Sequence, residues 1–266
     1  MAPMISVQNL LKTFQEVKAV QGVSFEVEPG ECFGLLGPNG AGKSTLIKML
    51  ITLLKPDSGQ ATVNGSFLDR DPARIRESIG YVPQSLSVDG ALTGRENLTL
   101  FGKLYGLSAS DLKDRVPRIL EWMDLSEAAD RPVAHYSGGM VRRLEVGQAI
   151  LHRPAVVFLD EPTVGLDPVA RQALWDHIRN LQEEYGTTIF LTTHYMDEAQ
   201  ELCDRIAIMD RGKVVAIGTL AQLRKRARLP KADMDKLFVH FVGPMAQEQG
   251  DLADVKRARR TAQRLG

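Results

Sequence analysis

The residues best suited to chemistry in this sequence form one contiguous run. The template G-x-x-x-x-G-K-[ST] is matched in full by Gly37-Pro38-Asn39-Gly40-Ala41-Gly42-Lys43-Ser44-Thr45. Its glycines let the backbone curl, so that successive N–H groups can converge on one anion. Lys43 is placed to reach the β- and γ-phosphates of a nucleotide, and the hydroxyl of Ser44 to ligate Mg²⁺. The run therefore predicts a phosphate site with an associated Mg²⁺ ion.

A pair of carboxylates forms the second candidate. Asp160 and Glu161 follow directly after the continuous apolar run 155–159, which is typical of a strand covered on both faces. The carboxyl ends of buried parallel strands face the ligand crevice of an open α/β sheet. There Asp160 suits the coordination shell of Mg²⁺, and Glu161 suits the role of base for an attacking water. A merely solvated strand end is the alternative.

Three further positions have both a functional and a structural interpretation. His194 follows the predicted strand 188–192, where it could sense a γ-phosphate or serve only in packing. Ser137-Gly138-Gly139 begin a predicted helix and could bind a second anion or simply cap that helix. Phe14 could stack on an adenine ring or lie half-buried in the core. A second phosphate-binding element so far from the first is easiest to explain if two chains face each other.

The elements that must position these residues follow from the apolar periodicity. The apolar run 32–36 predicts a buried strand before the glycine loop, and helical spacing after the loop continues to Pro56. Alternating residues in 5–7 and 23–27, together with a similar stretch at 61–65, predict a small antiparallel sheet beside the nucleotide. The two last predicted strands, 205–209 and 214–217, indicate a hairpin.

The stretch between the two anion-binding candidates is predicted to be helical. Gln84 stands at the exit of a short strand, 79–83, and helical spacing extends from Ser85 to about residue 134. Thr93 is predicted to cap one of these helices, with Glu96 three residues later. A second helix is predicted over 112–125. After the carboxylates, a helix of roughly 169–185 leads to the strand that precedes His194.

Composition restricts the class of protein. The 266 residues suit one large or two small domains, and 44% hydrophobic with 25% charged residues is ordinary for a soluble globular chain. Net charge is zero overall, but residues 224–266 carry 11 Lys and Arg against 5 Asp and Glu. The two cysteines form neither a disulfide framework nor a metal site. No signal-peptide pattern and no apolar run of membrane-spanning length occurs, so any work at a membrane would need another chain to cross it.

Taken in order, these pieces resemble the nucleotide-binding subunits of ABC transporters over residues 4–222. The correspondence runs through the Walker A loop at 37–45, the Q-loop at Gln84, the signature motif at 136–140, the Walker B strand at 156–161, the D-loop at 165–167 and the switch histidine at His194. Residues 92–98 and 136–140 look most like the drug- and antibiotic-resistance exporters of the daunorubicin exporter kind.

The resemblance implies an α/β fold, a P-loop NTPase ABC cassette. It would have a RecA-like core, a small antiparallel β-subdomain and an α-helical subdomain inserted at 85–152. The ATP-binding domain would occupy 1–223, followed by a basic C-terminal extension at 224–266. Two such subunits would pair head to tail around two ATP molecules, as a homodimer or a heterodimer. Each ATP would touch the Walker A loop of one chain and Ser137-Gly138-Gly139 of the other.

The resemblance also implies a role for each site residue. Glu161 would polarise water and His194 would hold the γ-phosphate, while Asp167 would couple the two ATP sites. Phe14 occupies the position that stacks on adenine. Gln84 would bridge Mg²⁺ and the helical subdomain.

The function implied is an ATPase that drives a separate membrane permease from the cytoplasmic face of the membrane, exporting a drug-like or lipid-like compound. The alternative is a soluble ABC-type ATPase acting on nucleic acid or the ribosome. The spacing between Gln84 and Ser137 leaves no room for the long coiled coil of the DNA-repair relatives, and the sequence has one Walker A run. No nucleic acid is therefore expected as a partner. A weak apolar stripe beside basic residues at 252–265 could rest on anionic lipid or form a solvated end.

Overall fold

The computed structural model describes residues 2–243, and the predicted stripe at 252–265 lies outside this part of the chain. The strands are β1 (Ile5–Phe14), β2 (Val17–Val27), β3 (Cys32–Leu36), β4 (Ser58–Val63), β5 (Ser66–Phe67), β6 (Ile79–Val82), β7 (Val156–Asp160), β8 (Thr188–Thr193), β9 (Arg205–Asp210) and β10 (Lys213–Gly218). The helices are α1 (Lys43–Leu50), α2 (Pro72–Ser78), α3 (Gly94–Leu104), α4 (Ala109–Trp122), α5 (Gly138–Ile150), α6 (Pro168–Tyr185), α7 (Met196–Leu202), α8 (Leu220–Ala227) and α9 (Met234–Val242).

A six-stranded sheet forms the centre of the fold. Its order is β10-β9-β3-β8-β7-β6, with β9, β3, β8, β7 and β6 parallel and β10 antiparallel at the edge. Every residue of β3, β7 and β8 is buried, which explains why these strands are apolar apart from Asp160 and the threonines at the two ends of β8. The register places Leu36 beside Thr193 and Asp160 beside Thr192. The glycine loop, the carboxylates and His194 therefore leave the sheet at the same edge.

The second sheet is small and antiparallel, as the alternating segments predicted. Its order is β2-β1-β4-β5. Its apolar face packs on the central sheet, where Phe25 stacks on Phe33 with ring centroids 5.1 Å apart. The mixed α/β architecture and the terminal β9–β10 hairpin are confirmed. Phe14 is the last residue of β1.

The helices α3, α4 and α5 come between β6 and β7 in the sequence and pack against one another. Thr93 caps α3 in a reciprocal capping box with Glu96, as predicted, and Ser108 caps α4 in the same way with Asp111. Helical structure was expected from Ser85 onward, and this was wrong. No helix or strand forms between Gln84 and Thr93, a stretch whose far end is held by hydrogen bonds between Asp89 and Asn97 at 3.0 and 2.9 Å.

Two further helices have bounds that the sequence did not predict. Helical spacing suggested that α1 would continue through Leu54, but the helix ends at Leu50, and Thr52 adopts a left-handed φ of 65°. Leu53 is consequently 65% exposed. The helix α8 continues across residue 223, where the sequence suggested that the extension begins. Together with α9 it packs on α7 and the last hairpin through a separate apolar cluster.

Within residues 2–243, no helix combines the length and apolar character that crossing a bilayer requires.

The contact between β6 and α5 depends on the missing side chain of Gly80. A Cβ placed there would collide with the backbone carbonyl of Ala149. Since backbone atoms yield poorly, Gly80→Ala is expected to lower the free energy of unfolding by about 1–3 kcal/mol in urea denaturation. Gly90→Ala is the matched control, because its Cβ would meet Ala134 at an ordinary 3.7 Å. Equal stability of the two variants would contradict this close contact between β6 and α5.

Candidate nucleotide site

The glycine loop connects β3 to α1 in a conformation that its glycines make possible. Gly40 and Gly42 have left-handed φ values of 82° and 104°, and Gly42 is the N-cap of α1. A side chain at Gly42 would also strike the carbonyl oxygen of Ala19, so the loop lies directly against β2. The N-terminus of α1 is thereby fixed at the edge of the sheet where phosphate would bind.

Lys43 is buried at the centre of the site. Its Nζ donates to the carbonyl oxygens of Gly37 at 2.8 Å and Pro38 at 3.2 Å. It also lies 3.1 Å from Oε1 of Glu161, and both side chains are only 4% exposed. The ammonium group thus sits among three oxygens at the base of the loop, with its charge balanced by one carboxylate.

Glu161 is where three of the predicted catalytic residues meet. Oε2 of its carboxylate accepts from Nε2 of Gln84 at 2.6 Å and lies 3.4 Å from Nδ1 of His194, while Oε1 faces Lys43. The backbone of Glu161 has a left-handed φ of 50°, and its N–H donates to the carbonyl oxygen and the hydroxyl of Thr192. Residues from three separate segments therefore converge on the side chain of Glu161.

The surroundings of Glu161 determine its protonation state. Burial by itself would raise the pKa of this carboxyl group, but the hydrogen bond with His194 and the charge of Lys43 outweigh burial and lower the pKa to about 2. Glu161 is thus ionised throughout the physiological pH range.

Asp160 lies beside Glu161 in a different environment. Its Oδ1 accepts from the hydroxyl of Thr192 at 2.6 Å and from that of Ser44 at 3.3 Å. Burial raises the pKa of Asp160, with the hydrogen bond from Thr192 opposing it and the charge of Glu161 adding to it. A serine hydroxyl and a buried carboxylate at this distance form the hard-oxygen donor set that Mg²⁺ prefers.

Two contributors to this arrangement were missed in the sequence. Thr192 holds both Asp160 and the backbone of Glu161, but in the sequence it is only the polar end of an apolar strand. Glu198 is completely buried in α7 and accepts from the Thr163 hydroxyl at 2.8 Å and from Nε1 of Trp175 at 3.1 Å. It joins the segment after Glu161 to α6. An acid in the first turn of a helix gives no signal of such a role.

Three of the predicted site elements lie outside the cluster around Lys43. Ser137 is an exposed N-cap of α5 whose hydroxyl accepts from the N–H of Met140 at 3.3 Å. Asp167 caps α6 in the same manner. A Cβ on Gly139 would touch the side chain of Ala170, so the Ser-Gly-Gly turn and the start of α6 are neighbours. Phe14 is 46% exposed.

Comparison with known proteins decides the family. The sequence profile described as ABC transporter matches residues 20–164, more than half of the chain. The chain belongs to the ABC transporter family. It is 43% identical over 223 residues to the linearmycin resistance ATP-binding protein LnrL of Bacillus subtilis (strain 168), covering 84% of this chain and 71% of that protein. It is 46% identical over 220 residues to the daunorubicin/doxorubicin resistance ATP-binding protein DrrA of Streptomyces peucetius, covering 83% and 66%.

Solved structures agree with this assignment. An ATP-binding subunit of an ABC transporter superposes with a TM-score of 0.81 at 35% identity, covering 90% of this chain and 99% of that one. A dimeric post-hydrolysis state of the ATP-binding cassette MJ0796, bound to ADP and Pi, superposes with a TM-score of 0.73 at 26% identity, covering 82% and 99%. The chain is therefore an ATP-binding and ATP-hydrolysing ABC subunit with the predicted cassette fold.

The pH dependence of stability tests the charge balance at Glu161. A carboxyl group whose pKa falls from 4.5 in the unfolded chain to about 2 in the folded one stabilises the fold above pH 4.5, and this contribution disappears as the pH drops through 2. The stability of the wild type relative to Glu161→Gln should therefore fall by roughly 3 kcal/mol over that window. Urea denaturation at a series of pH values measures it.

The control for this prediction is Glu16→Gln, which removes the same charge from the exposed turn after β1. Its stability should track the wild type at each pH. Parallel curves for the wild type and Glu161→Gln would show that Glu161 has an ordinary pKa.

Proposed function

We propose that each ATP binds between two subunits, with Lys43 and the glycine loop of one copy on one side and Ser137-Gly138-Gly139 of the other copy on the opposite side. The observation that carries this proposal is the separation of two anion-facing helix N-termini within one copy. The N-terminus of α1 is built into the cluster around Glu161, while the start of α5 is exposed. The dimeric solved cassette supports the pairing.

In this arrangement Lys43 binds the β- and γ-phosphates, assisted by backbone N–H groups of residues 37–45. The ammonium group of Lys43, which faces Glu161 in the structure, then pairs with the phosphates instead. Because Lys43 no longer counteracts the effect of burial, the pKa of Glu161 rises towards the range in which a carboxylate accepts a proton efficiently. Binding of ATP would thus prepare Glu161 to act as the base for the attacking water.

The remaining residues orient the reactants. His194 contacts Glu161 at the end of β8 and is placed to donate towards the γ-phosphate. Ser44 and Asp160 would hold Mg²⁺ from the protein side, with Gln84 adjacent. When bound, Mg²⁺ supplies positive charge that offsets the charge developing on the phosphate oxygens. Phe14 offers an exposed ring for stacking on adenine, and Asp167 couples the two sites through its position beside the Ser-Gly-Gly turn.

We further propose that the ATPase drives a separate membrane permease from the cytoplasmic face of the membrane and exports a drug-like or lipid-like compound. The names of the relatives support this direction, because they include ATP-binding proteins for resistance to linearmycin and to daunorubicin/doxorubicin, and the Nod factor export ATP-binding protein I of Ralstonia nicotianae. We also retain the division into a helical subdomain at 85–152 and a C-terminal extension at 224–266. A soluble ATPase that acts on nucleic acid or the ribosome gains no support from these relatives.

Replacement of the proposed base should trap the paired state. In Glu161→Gln, ATP turnover is expected to fall at least about 100-fold, because the group that accepts the proton from water is gone while phosphate binding remains. Light scattering with saturating ATP and Mg²⁺ should then give a dimer. In Lys43→Ala, turnover should fall to a similar extent with no ATP-dependent dimer. A monomeric Glu161→Gln protein under these conditions would refute the sandwich.

Complementation tests whether Ser137 acts across the interface. Lys43→Ala and Ser137→Arg should each hydrolyse ATP alone only at a residual rate, but a mixed pair would contain one intact site. Equal mixing should therefore restore about a quarter of wild-type turnover per subunit if the pairing is head to tail. Absence of recovery at every mixing ratio would indicate that Ser137 serves the nucleotide of its own chain.

A further inference from the structure

A buried ion pair on α5 has no part in the chemistry described so far. Nη1 of Arg142 lies 2.9 Å from Oε2 of Glu145, and the two side chains are only 4% and 1% exposed. Taking two ionised groups out of water is costly, and a buried pair is tolerated only when further hydrogen bonds satisfy both partners. The position of those hydrogen bonds therefore indicates what the pair is for.

Nearly all of the additional hydrogen bonds go to one short segment, residues 83–87. Arg142 donates to the carbonyl oxygens of Pro83 at 2.7 Å and Gln84 at 3.1 Å. Oε1 of Glu145 accepts from the N–H of Ser87 at 2.5 Å and from its hydroxyl at 3.0 Å. The pair is thus hydrogen-bonded to the backbone at both ends of this segment.

The segment needs such support because it is irregular. It follows the last residue of β6 and forms neither helix nor strand, so its backbone groups have no regular ladder of partners. Leu86, the one large apolar side chain of the segment, is 63% exposed and contributes little packing. Hydrogen bonds with Arg142 and Glu145, together with the contact of the Gln84 side chain with Glu161, join the segment to the body of the protein.

The same pair is also close to the second anion-binding element. Arg142 and Glu145 lie in the first two turns of α5, the helix whose N-terminus is Ser137-Gly138-Gly139. One helix therefore carries both the turn proposed to face the nucleotide of the partner chain and the ion pair that grips the segment of Gln84. The turn and the ion pair are thus joined by the continuous hydrogen-bonded backbone of α5.

We propose that Arg142 and Glu145 are positioning residues that fasten the Gln84 segment to α5, so that the Gln84 amide and the Ser-Gly-Gly turn move as one body. The pair acts on hydrolysis through Gln84, whose side chain touches Glu161, and on the facing subunit through the turn. A change at Glu161 on nucleotide binding is thereby transmitted to the surface that meets the other copy. This inference rests on the proposed function for the role of Gln84, but the fastening itself is a property of the single chain.

The decisive experiment distinguishes an effect of the ion pair on the position of residues 83–87 from an effect on the stability of the fold. The double variant Arg142→Met/Glu145→Leu replaces the pair by apolar side chains of similar size, a change that commonly keeps or improves stability. It removes every hydrogen bond from the pair to residues 83–87. We expect a melting temperature close to that of the wild type and faster amide hydrogen exchange at Ser87. The kcat for ATP should fall roughly tenfold or more through misplacement of Gln84, with KM changed less than about twofold.

The control is Asp124→Asn, which removes the exposed partner of Arg143 on the same helix and leaves residues 83–87 untouched. Exchange at Ser87 and kcat should both be unchanged in this variant. Wild-type kcat together with wild-type exchange at Ser87 in a stable double variant would overturn the proposal, since the pair would then merely fill space.

A second variant keeps the test decisive if the double variant fails to fold. Ser87→Ala removes only one exposed hydroxyl and its hydrogen bond to Glu145, so the fold is expected to remain intact. Its kcat should fall by roughly two- to fivefold with an unchanged melting temperature; an unchanged kcat would count against fastening. Failure of the proposed function looks different, because Lys43→Ala would then retain turnover whereas exchange at Ser87 would still respond to the loss of the ion pair.

Discussion

The buried carboxylate of Glu161 is the constraint on which the rest of the site depends. Burial disfavours its charge, so the protein must supply compensating groups within hydrogen-bond distance. These come from the glycine loop, from the end of β8 and from the exit of β6, and all of them leave the central sheet at the carboxyl ends of parallel strands. The parallel sheet is therefore what makes the site possible, because it brings four distant parts of the sequence to one edge.

Much of this could be predicted from the sequence where function and structure are local. The glycine loop is recognisable because its chemistry resides in consecutive residues. The strands at 32–36, 155–159 and 188–192 are recognisable because burial on both faces favours apolar residues throughout the middle of a strand. The capping box at Thr93 could be predicted equally well, because its partner Glu96 is only three residues away. The predicted extent of the helices was wrong in two places. Helical spacing persists after Leu50, but Thr52 adopts a left-handed backbone conformation there. Helical spacing also begins at Ser85, but side-chain hydrogen bonds hold that segment in an irregular conformation.

The contributors that sequence reasoning missed are those whose partners are distant. Thr192 and Glu198 acquire their roles only when β7, β8 and α6 are packed together. Arg142 and Glu145 resemble an ordinary i,i+3 pair on a helix surface, yet they are among the most buried charges of the described chain. Spacing alone cannot distinguish a solvated pair of this kind from one that grips a neighbouring backbone, because both obey the same helical periodicity.

The exposed ring of Phe14, the proposed stacking surface for the base, bears on which nucleotides this ABC subunit can use. In the proposed arrangement, stacking on Phe14 would depend on the flat surface of a base and not on its pattern of hydrogen-bond donors and acceptors, so guanine would be accommodated as readily as adenine. The polar groups Lys43, Ser44 and Asp160 lie instead on the side where the phosphates are proposed to bind. Discrimination would accordingly reside in the number of phosphates, separating triphosphates from monophosphates far more sharply than one purine from another.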